Sequence, residues 1–275
     1  MLTKETNLFD LGGKVAVISG GTGVLGFEVA RYLLRQGAKV ALLARNPDKL
    51  RQKVGILSTE SEQCIGIVTD ITDRIAVAAA AAQIIQEWDV PDILINAAGG
   101  NIPGAVIQPH QSLFDLSLTD FESVVHLNLQ GTVIPSLVFA EGMQQKKRGS
   151  IINFSSMSVT RAITRVAGYS AGKAGMENFT RWMACELALR YGDGIRVNAI
   201  APGFFIGEQN RRLLVNPDGQ LTDRGQLIIQ HTPMSRFGRP EELNGAIHFL
   251  SSDASSFVTG TVIPIDGGFG AFSGV

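Results

Sequence analysis

A short apolar run, Lys14-Val-Ala-Val-Ile-Ser19, passes directly into Gly20-Gly-Thr-Gly-Val-Leu-Gly26. Apolar residues then recur at helical spacing through Val29, Ala30, Leu33 and Leu34 as far as Gly37. An order of strand, glycine turn and helix leaves a chain few folds to adopt. Glycines at such a junction permit a tight turn and let backbone approach a phosphate, which the helix N-terminus favours electrostatically. Taken alone the glycines are equally a turn that needs positive φ. The strand before and the helix after point to dinucleotide binding.

The same rhythm continues along the chain. Further apolar runs begin at Lys39, Ile65, Asp92, Ser150, Ile195 and Thr261. Helical patterns cover about 72–87, 119–145, 169–190 and 240–250. Continuous apolar runs, as opposed to in–out alternation, predict strands buried on both faces. Their repetition with intervening helices gives an α/β, doubly wound parallel sheet with right-handed crossovers. No linker or repeat divides the sequence, so residues 1–275 read as one domain. The stretch from 204 to about 235 breaks the rhythm and is expected to be a helical insertion beyond a strand end.

Composition excludes several classes. The 24 basic residues balance 25 acidic ones, which argues against a broad nucleic-acid or membrane-binding surface. A hydrophobic fraction of 45% is too high for a disordered chain. Cys64 and Cys185 form no disulfide framework or zinc pattern, and His110, His126, His231 and His248 show no ligand spacing, so no metal is expected. The first residues lack the order of a signal peptide, and the expectation is a cytoplasmic protein.

In this architecture ligands sit beyond the carboxyl ends of the strands. Arg45, Asp70, Asn96, Ser156 and Pro202-Gly203 all fall there. Tyr169 and Lys173 are four apart, on one helix face. An ammonium beside a phenol favours the phenolate, lowering its ordinary pKa of about 10. Such a tyrosine can exchange a proton with a carbonyl or hydroxyl oxygen. Ser156 can hold that oxygen, or serve as a turn cap.

These residues, with Asn96-Ala-Ala-Gly99, Asn128, Tyr169-Ser-Ala-Gly-Lys173, Arg196-Val-Asn-Ala-Ile-Ala-Pro-Gly203 and the glycine turn, resemble the short-chain dehydrogenase/reductase family in order and spacing. The resemblance spans essentially the whole sequence. It implies a single Rossmann-type domain with a seven-stranded, mainly parallel sheet in the order 3-2-1-4-5-6-7. It further implies a proton-transferring Tyr169, a Lys173 that lowers its pKa and binds the nicotinamide ribose, a substrate-orienting Ser156, and an Asn128 that holds a relay water. Gly20, Thr22, Gly23, Val24, Leu25, Gly26, Asp70, Ile71, Asn96, Ala97, Ala98, Gly99, Pro202, Gly203 and Phe205 are the implied cofactor contacts, together with Tyr169 and Lys173. A homotetramer is also implied.

Two positions depart from the family pattern. Val24 stands where the middle glycine belongs, and Gly23 is expected to absorb the strain of the turn. Gly207 replaces a common threonine. At the end of the second strand Ala44-Arg45 replaces the acidic residue that accepts a ribose hydroxyl of NAD, which favours NADP(H) and leaves NAD(H) open.

A closer resemblance, carried by Asn96-Ala-Ala-Gly-Gly-Asn101, the segment 201–211, Met234-Ser-Arg-Phe-Gly238 and the segment 266–275, is to the D-mannonate oxidoreductases (fructuronate reductases) of this family. It implies a keto or hydroxy sugar acid as substrate. Asn101, Ser158, Gln209, Asn210 and Arg211 are then candidate substrate contacts, with Arg161, Arg165 and Arg212 as further candidates for its carboxylate. A 3-oxoacyl-thioester or other carbonyl reductase, a gluconate-type dehydrogenase and a non-catalytic dinucleotide-sensing scaffold remain as alternatives.

Overall fold

A computed structural model describes residues 7–207 and 210–274 of the chain. Seven strands form one sheet in the order β3-β2-β1-β4-β5-β6-β7, and every adjacent pair runs parallel. They are β1 (Val15–Ser19), β2 (Lys39–Ala44), β3 (Cys64–Val68), β4 (Ile93–Asn96), β5 (Gly149–Phe154), β6 (Ile195–Pro202) and β7 (Val262–Ile265). The helices are α1 (Val24–Arg35), α2 (Pro47–Ser58), α3 (Arg74–Glu87), α4 (Leu118–Lys146), α5 (Ala167–Tyr191), α6 (Arg211–Leu214), α7 (Asp223–Gln230) and α8 (Asn244–Ser251).

Alternate residues of each strand feed two cores. On one face Ile18, Leu42, Ile95 and Ile152 pack with Leu33 of α1, Leu57 of α2 and Ile247 of α8. On the other, Val17, Leu43, Leu94 and Ile151 pack with Ile84 of α3, Phe139 of α4 and Met183 of α5. Each fully buried aliphatic side chain contributes about 2 kcal/mol through removal of apolar surface from water. Burial on both faces holds for β1, β2, β4, β5 and β6 but fails at the sheet edges. Val68 of β3 is 58% exposed, and β7 has no fully buried residue. An edge strand has one neighbour and a helix layer that ends beside it.

Sequence periodicity passes over α2, whose buried residues are only Leu50 and Leu57. Its start is nevertheless written in Asn46-Pro47-Asp48: Asn46 Oδ1 accepts from the amides of Asp48 and Lys49 at 3.0 and 2.9 Å, and Pro47 occupies the first turn. The 29-residue α4 is long and apolar enough to cross a membrane, but here it is a core helix. Its stripe of Val124, Asn128, Gly131, Pro135, Phe139 and Met143 is buried.

The segment after β6 is helical, as expected, carrying α6 and α7. A parallel bridge between Phe205 and Gly238 joins its two ends, with Gly238 N donating to Phe204 O at 2.9 Å.

Candidate active site

Sheet register places Ser19, Asn96 and Asn153 in one row across β1, β4 and β5. The backbone therefore leaves three central strands at the same level, and the loops that follow enclose a cleft of about 810 Å³. Gly20, Thr22, Gly23, Val24, Leu25 and Gly26 line one end, with Arg45 and Ile71 beside them. Ala97, Ala98 and Gly99 form the middle, and Ser156, Tyr169, Lys173, Pro202, Gly203 and Phe205 lie toward the reaction end. Asn101, Ser158 and Asn210 line the cleft as well.

The floor at the glycine end is bare backbone. Gly20 has φ +69°, and a Cβ there would stand 2.7 Å from the Ala98 backbone; one at Gly26 would stand 2.5 Å from Gly20 O. Side chains cap the N-termini of α2, α3 and α4 through Asn46, Asp73 and Ser117. By contrast α1 has no side-chain cap and no acidic residue in its first turn. Its unshared N–H groups and dipole face a glycine cradle, an arrangement that fits a pyrophosphate.

Here the strain falls elsewhere than expected. Gly23 has φ −76°, ψ 163°, an extended conformation open to any residue, and Val24 is the first residue of α1. Only Gly20 carries positive φ in this turn, so the helical conformation at Val24 suits a β-branched side chain. The two departures from the family pattern meet in space. A Cβ at Gly207 would lie 3.8 Å from Val24 Cγ2, so added bulk at Val24 faces reduced bulk at Gly207.

At the other end Tyr169, in the first turn of α5, faces the Ser156 hydroxyl. Burial pushes the Tyr169 phenol up, and the Ser156 bond offsets part of that rise. Lys173 Nζ donates to Phe154 O at 2.6 Å and stands 5.7 Å from the centre of the Tyr169 ring, directed at a carbonyl instead of the phenol oxygen. Burial pulls the Lys173 ammonium down to about 8. Asn128 is buried behind this wall. It accepts from Gly100 N at 3.1 Å and donates to Gly100 O at 2.7 Å and Val124 O at 2.8 Å, gripping the backbone of Gly100 on both sides in the loop after β4.

Several predicted residues turn away from the cleft. Asn96 is fully buried and donates to Ser136 Oγ and Asn153 Oδ1, both at 2.9 Å, tying β4 to α4 and β5. Asp70 accepts from Thr72 N at 2.9 Å and Thr72 Oγ1 at 2.7 Å; these bonds hold its carboxyl below the ordinary range, with Arg45 contributing. Arg161 points to the carbonyls of Gly270 and Phe272 and braces the C-terminal segment. Arg211 is exposed on α6, outside the cleft wall. Asn210 lines the cleft but accepts from Gly207 N at 2.7 Å and donates to Phe205 O at 2.8 Å, so its amide holds the loop. Gln209 lies outside the described residues.

Arg165 and Arg212 do line the cleft, and so do Lys49, Gln108 and Arg224, which sequence reasoning missed. Arg224 had a readable signal. On α7 it sits four residues before the buried Ile228, hence on the inward face of a short helix. Among the described residues no cluster of His, Cys, Asp or Glu could hold a metal ion.

Comparison with known proteins agrees with this geometry. A family model described as enoyl-(acyl carrier protein) reductase matches residues 22–270. The chain is 42% identical to the uncharacterized oxidoreductase UxuB of Bacillus subtilis, over 97% of this chain and 98% of that one. A solved structure from Haemophilus influenzae, provisionally assigned as a D-mannonate oxidoreductase and holding NAD, superposes with a TM-score of 0.90. It is 38% identical and covers 97% of this chain and 98% of its own. A gluconate 5-dehydrogenase from Burkholderia cenocepacia, in complex with NADP and tartrate, gives a TM-score of 0.84 at 30% identity, over 96% and 98% of the two chains.

Proposed function

The chain belongs to the short-chain dehydrogenase/reductase family, and from that premise we propose that it interconverts a keto sugar acid and its hydroxy acid, D-fructuronate and D-mannonate first among them. It is an NAD(P)-dependent dehydrogenase acting on CH–OH groups, which removes the scaffold alternative. The sugar-acid reading is supported chiefly by Ser158 Oγ and Asn101 Nδ2, buried hydrogen-bonding atoms with no partner beside the Ser156–Tyr169 pair. Buried polar atoms are rarely left unpaired, and a polyhydroxylated substrate supplies what these two lack.

A bound nicotinamide would supply or accept the hydride. The glycine cradle of Gly20 to Gly26 would hold the pyrophosphate, with Thr22, Ile71 and Ala97 to Gly99 along the cofactor and Pro202, Gly203 and Phe205 beside the nicotinamide. Ser156 would hold the substrate oxygen by hydrogen bond. Tyr169, kept protonated at neutral pH by burial, would deliver its proton to that oxygen during reduction and receive it during oxidation. Lys173 would provide a positive charge under the site, and Asn128 would fix the loop of Gly99 and Gly100 against it. Arg45 at the end of β2, with Lys49 nearby, suits a 2′-phosphate, so NADP(H) is proposed over NAD(H). Arg45→Asp should then move the NADPH/NADH ratio of kcat/KM toward NADH by about tenfold, the worth of one charge-assisted hydrogen bond.

The deciding assay follows NADPH oxidation with D-fructuronate and with a 3-oxoacyl thioester. Turnover of the sugar acid alone is expected; no turnover of any keto sugar acid refutes the reading. The thioester reading has its own support in an apolar stretch of wall, Ile102, Val106, Ile163 and Leu213. A homotetramer in the cytoplasm is proposed on the exposed Leu137, Trp182 and Leu189 of α4 and α5 and on two free cysteines, Cys64 and Cys185. Light scattering of the purified protein tests the assembly.

A further inference from the structure

Among the described residues, the wall of the cleft beyond Tyr169 carries positive charge with no acid to answer it. Arg165 comes from the loop before α5 and Arg224 from α7 of the insertion, and both line the cleft. Arg165 is fixed from behind. Its Nε donates to Ile107 O at 2.7 Å and its second guanidinium nitrogen to Gln108 Oε1 at 2.8 Å, while Ile107 N donates back to Arg165 O at 3.2 Å. That anchoring holds Arg165 at φ +79°, an uncommon conformation for a residue with a long side chain, at the rim of the site.

Arg224 is half-buried, and among the described residues it has neither an ion pair nor a hydrogen bond. Burial and the neighbouring Arg165 charge hold its guanidinium below the ordinary value. Two like charges brought together in a partly desolvated wall repel each other, and an anion placed between them reverses the sign of the interaction. The same cleft is lined by Ser158, 6% exposed with an unpartnered Oγ, and by Asn101 with an unpartnered Nδ2.

We propose that Arg165 and Arg224 form a two-arginine subsite for the substrate carboxylate, with Ser158 and Asn101 addressing the hydroxyls between that carboxylate and the reacting carbon. The inference rests on the sugar-acid reading above and adds the residues that make the acid, as opposed to a neutral sugar, the preferred substrate. Arg165 supplies a rigid donor set. Arg224, carried on the insertion, completes the clamp.

Two measurements separate this subsite from the reading it rests on. The first is calorimetric titration of tartrate, a small hydroxylated dicarboxylate, into NADP-saturated wild-type, Arg224→Gln and Arg224→Lys protein. Wild type should bind, Arg224→Gln should weaken binding by about tenfold or more, and Arg224→Lys should recover part of the loss. The second is steady-state kinetics with D-fructuronate and with D-fructose, a keto sugar without the carboxylate. Arg224→Gln should raise KM for the acid by about 10–100-fold with little change in kcat, leaving the fructose KM in place. Because Arg224 bonds to no described group, its replacement leaves the fold intact, which a melting temperature verifies.

Tartrate affinity and an acid-to-neutral KM ratio that are both unchanged in Arg224→Gln overturn the subsite, as does a wild-type holoenzyme that binds no tartrate at millimolar concentration. Should wild type reduce no keto sugar acid yet bind tartrate through Arg224, the proposed function falls while the carboxylate subsite stands.

Discussion

The two ends of the central sheet present opposite electrostatic habits. At the amino end most charges are paired. Asp92 accepts from Val15 N at 2.9 Å and meets Lys146 at 3.0 Å, and Asp253 takes Lys14 at 3.3 Å and Arg148 at 3.4 Å. The buried Arg196 guanidinium is satisfied by Ser255 Oγ, Leu250 O and Ser252 O at 2.7, 3.0 and 3.1 Å. At the carboxyl end, among the described residues, Arg165 and Arg224 share a wall with no acid, Lys173 is buried against a single carbonyl, and Ser158 Oγ and Asn101 Nδ2 lack partners. The same strands, read in opposite directions, thus end in a largely closed network, in which Ser251 Oγ lacks a partner, and in an open one. Closed networks hold a fold together; open ones keep their binding capacity for a ligand.

If that division is sound, substitutions at the two ends should fail in different ways. Tyr169→Phe removes only the phenol oxygen, and kcat should fall by about 10²–10⁴-fold while the melting temperature stays in place. A variant that remained active would break the comparison at its most important point. Arg196→Met should do the reverse. Leaving buried carbonyls and Ser255 without their donor should cost about 3 kcal/mol of unfolding free energy, seen by urea denaturation, with kcat/KM of the folded protein retained.

Lys173 sharpens the contrast through pH. In the folded protein its ammonium titrates near 8, whereas the unfolded chain holds that proton to its ordinary value near 10.5. Between those two values the unfolded state binds more protons, so raising the pH favours folding. Wild type should therefore gain roughly 2–3 kcal/mol relative to Lys173→Met across that window, measured by denaturation at fixed pH. An equal pH dependence in both proteins would show that the lysine is not desolvated. The smallest effect belongs to Lys14→Met, whose partner Asp253 is 59% exposed, and about 0.5 kcal/mol is expected by the same denaturation measurement.

Sequence made the sheet legible because buried parallel strands are written as continuous apolar runs. The order of the strands came with the family resemblance, and the structure carries the same order. It made the cofactor end legible because glycine tolerates close approaches that a Cβ would forbid, as at Gly20. Direction was harder to read than position. Asn96 and Asp70 stand at strand ends, yet their side chains bond sideways to Ser136, Asn153 and Thr72, and nothing in a linear pattern says which way an amide turns. Tyr169 and Lys173 share a helix face as their spacing requires. The carbonyl of Phe154, contributed by a distant strand, diverts the lysine from the phenol. Arg224 escaped notice because its significance depends on Arg165, and the loop that brings the two together is set by tertiary packing.

The bridge between Phe205 and Gly238 has a consequence for how such a protein can change. Two points of the backbone bracketing more than a full helix–turn–helix are pinned side by side, so everything between them is topologically a detachable cassette. A change of length within it leaves that rung, and the strands beyond it, where they are. A graft of the cassette would carry Arg224 with it, while Arg165, Ser158 and Asn101 stayed behind and every strand kept its register. One part of substrate choice is thereby inherited on a piece of polypeptide separate from the reaction chemistry.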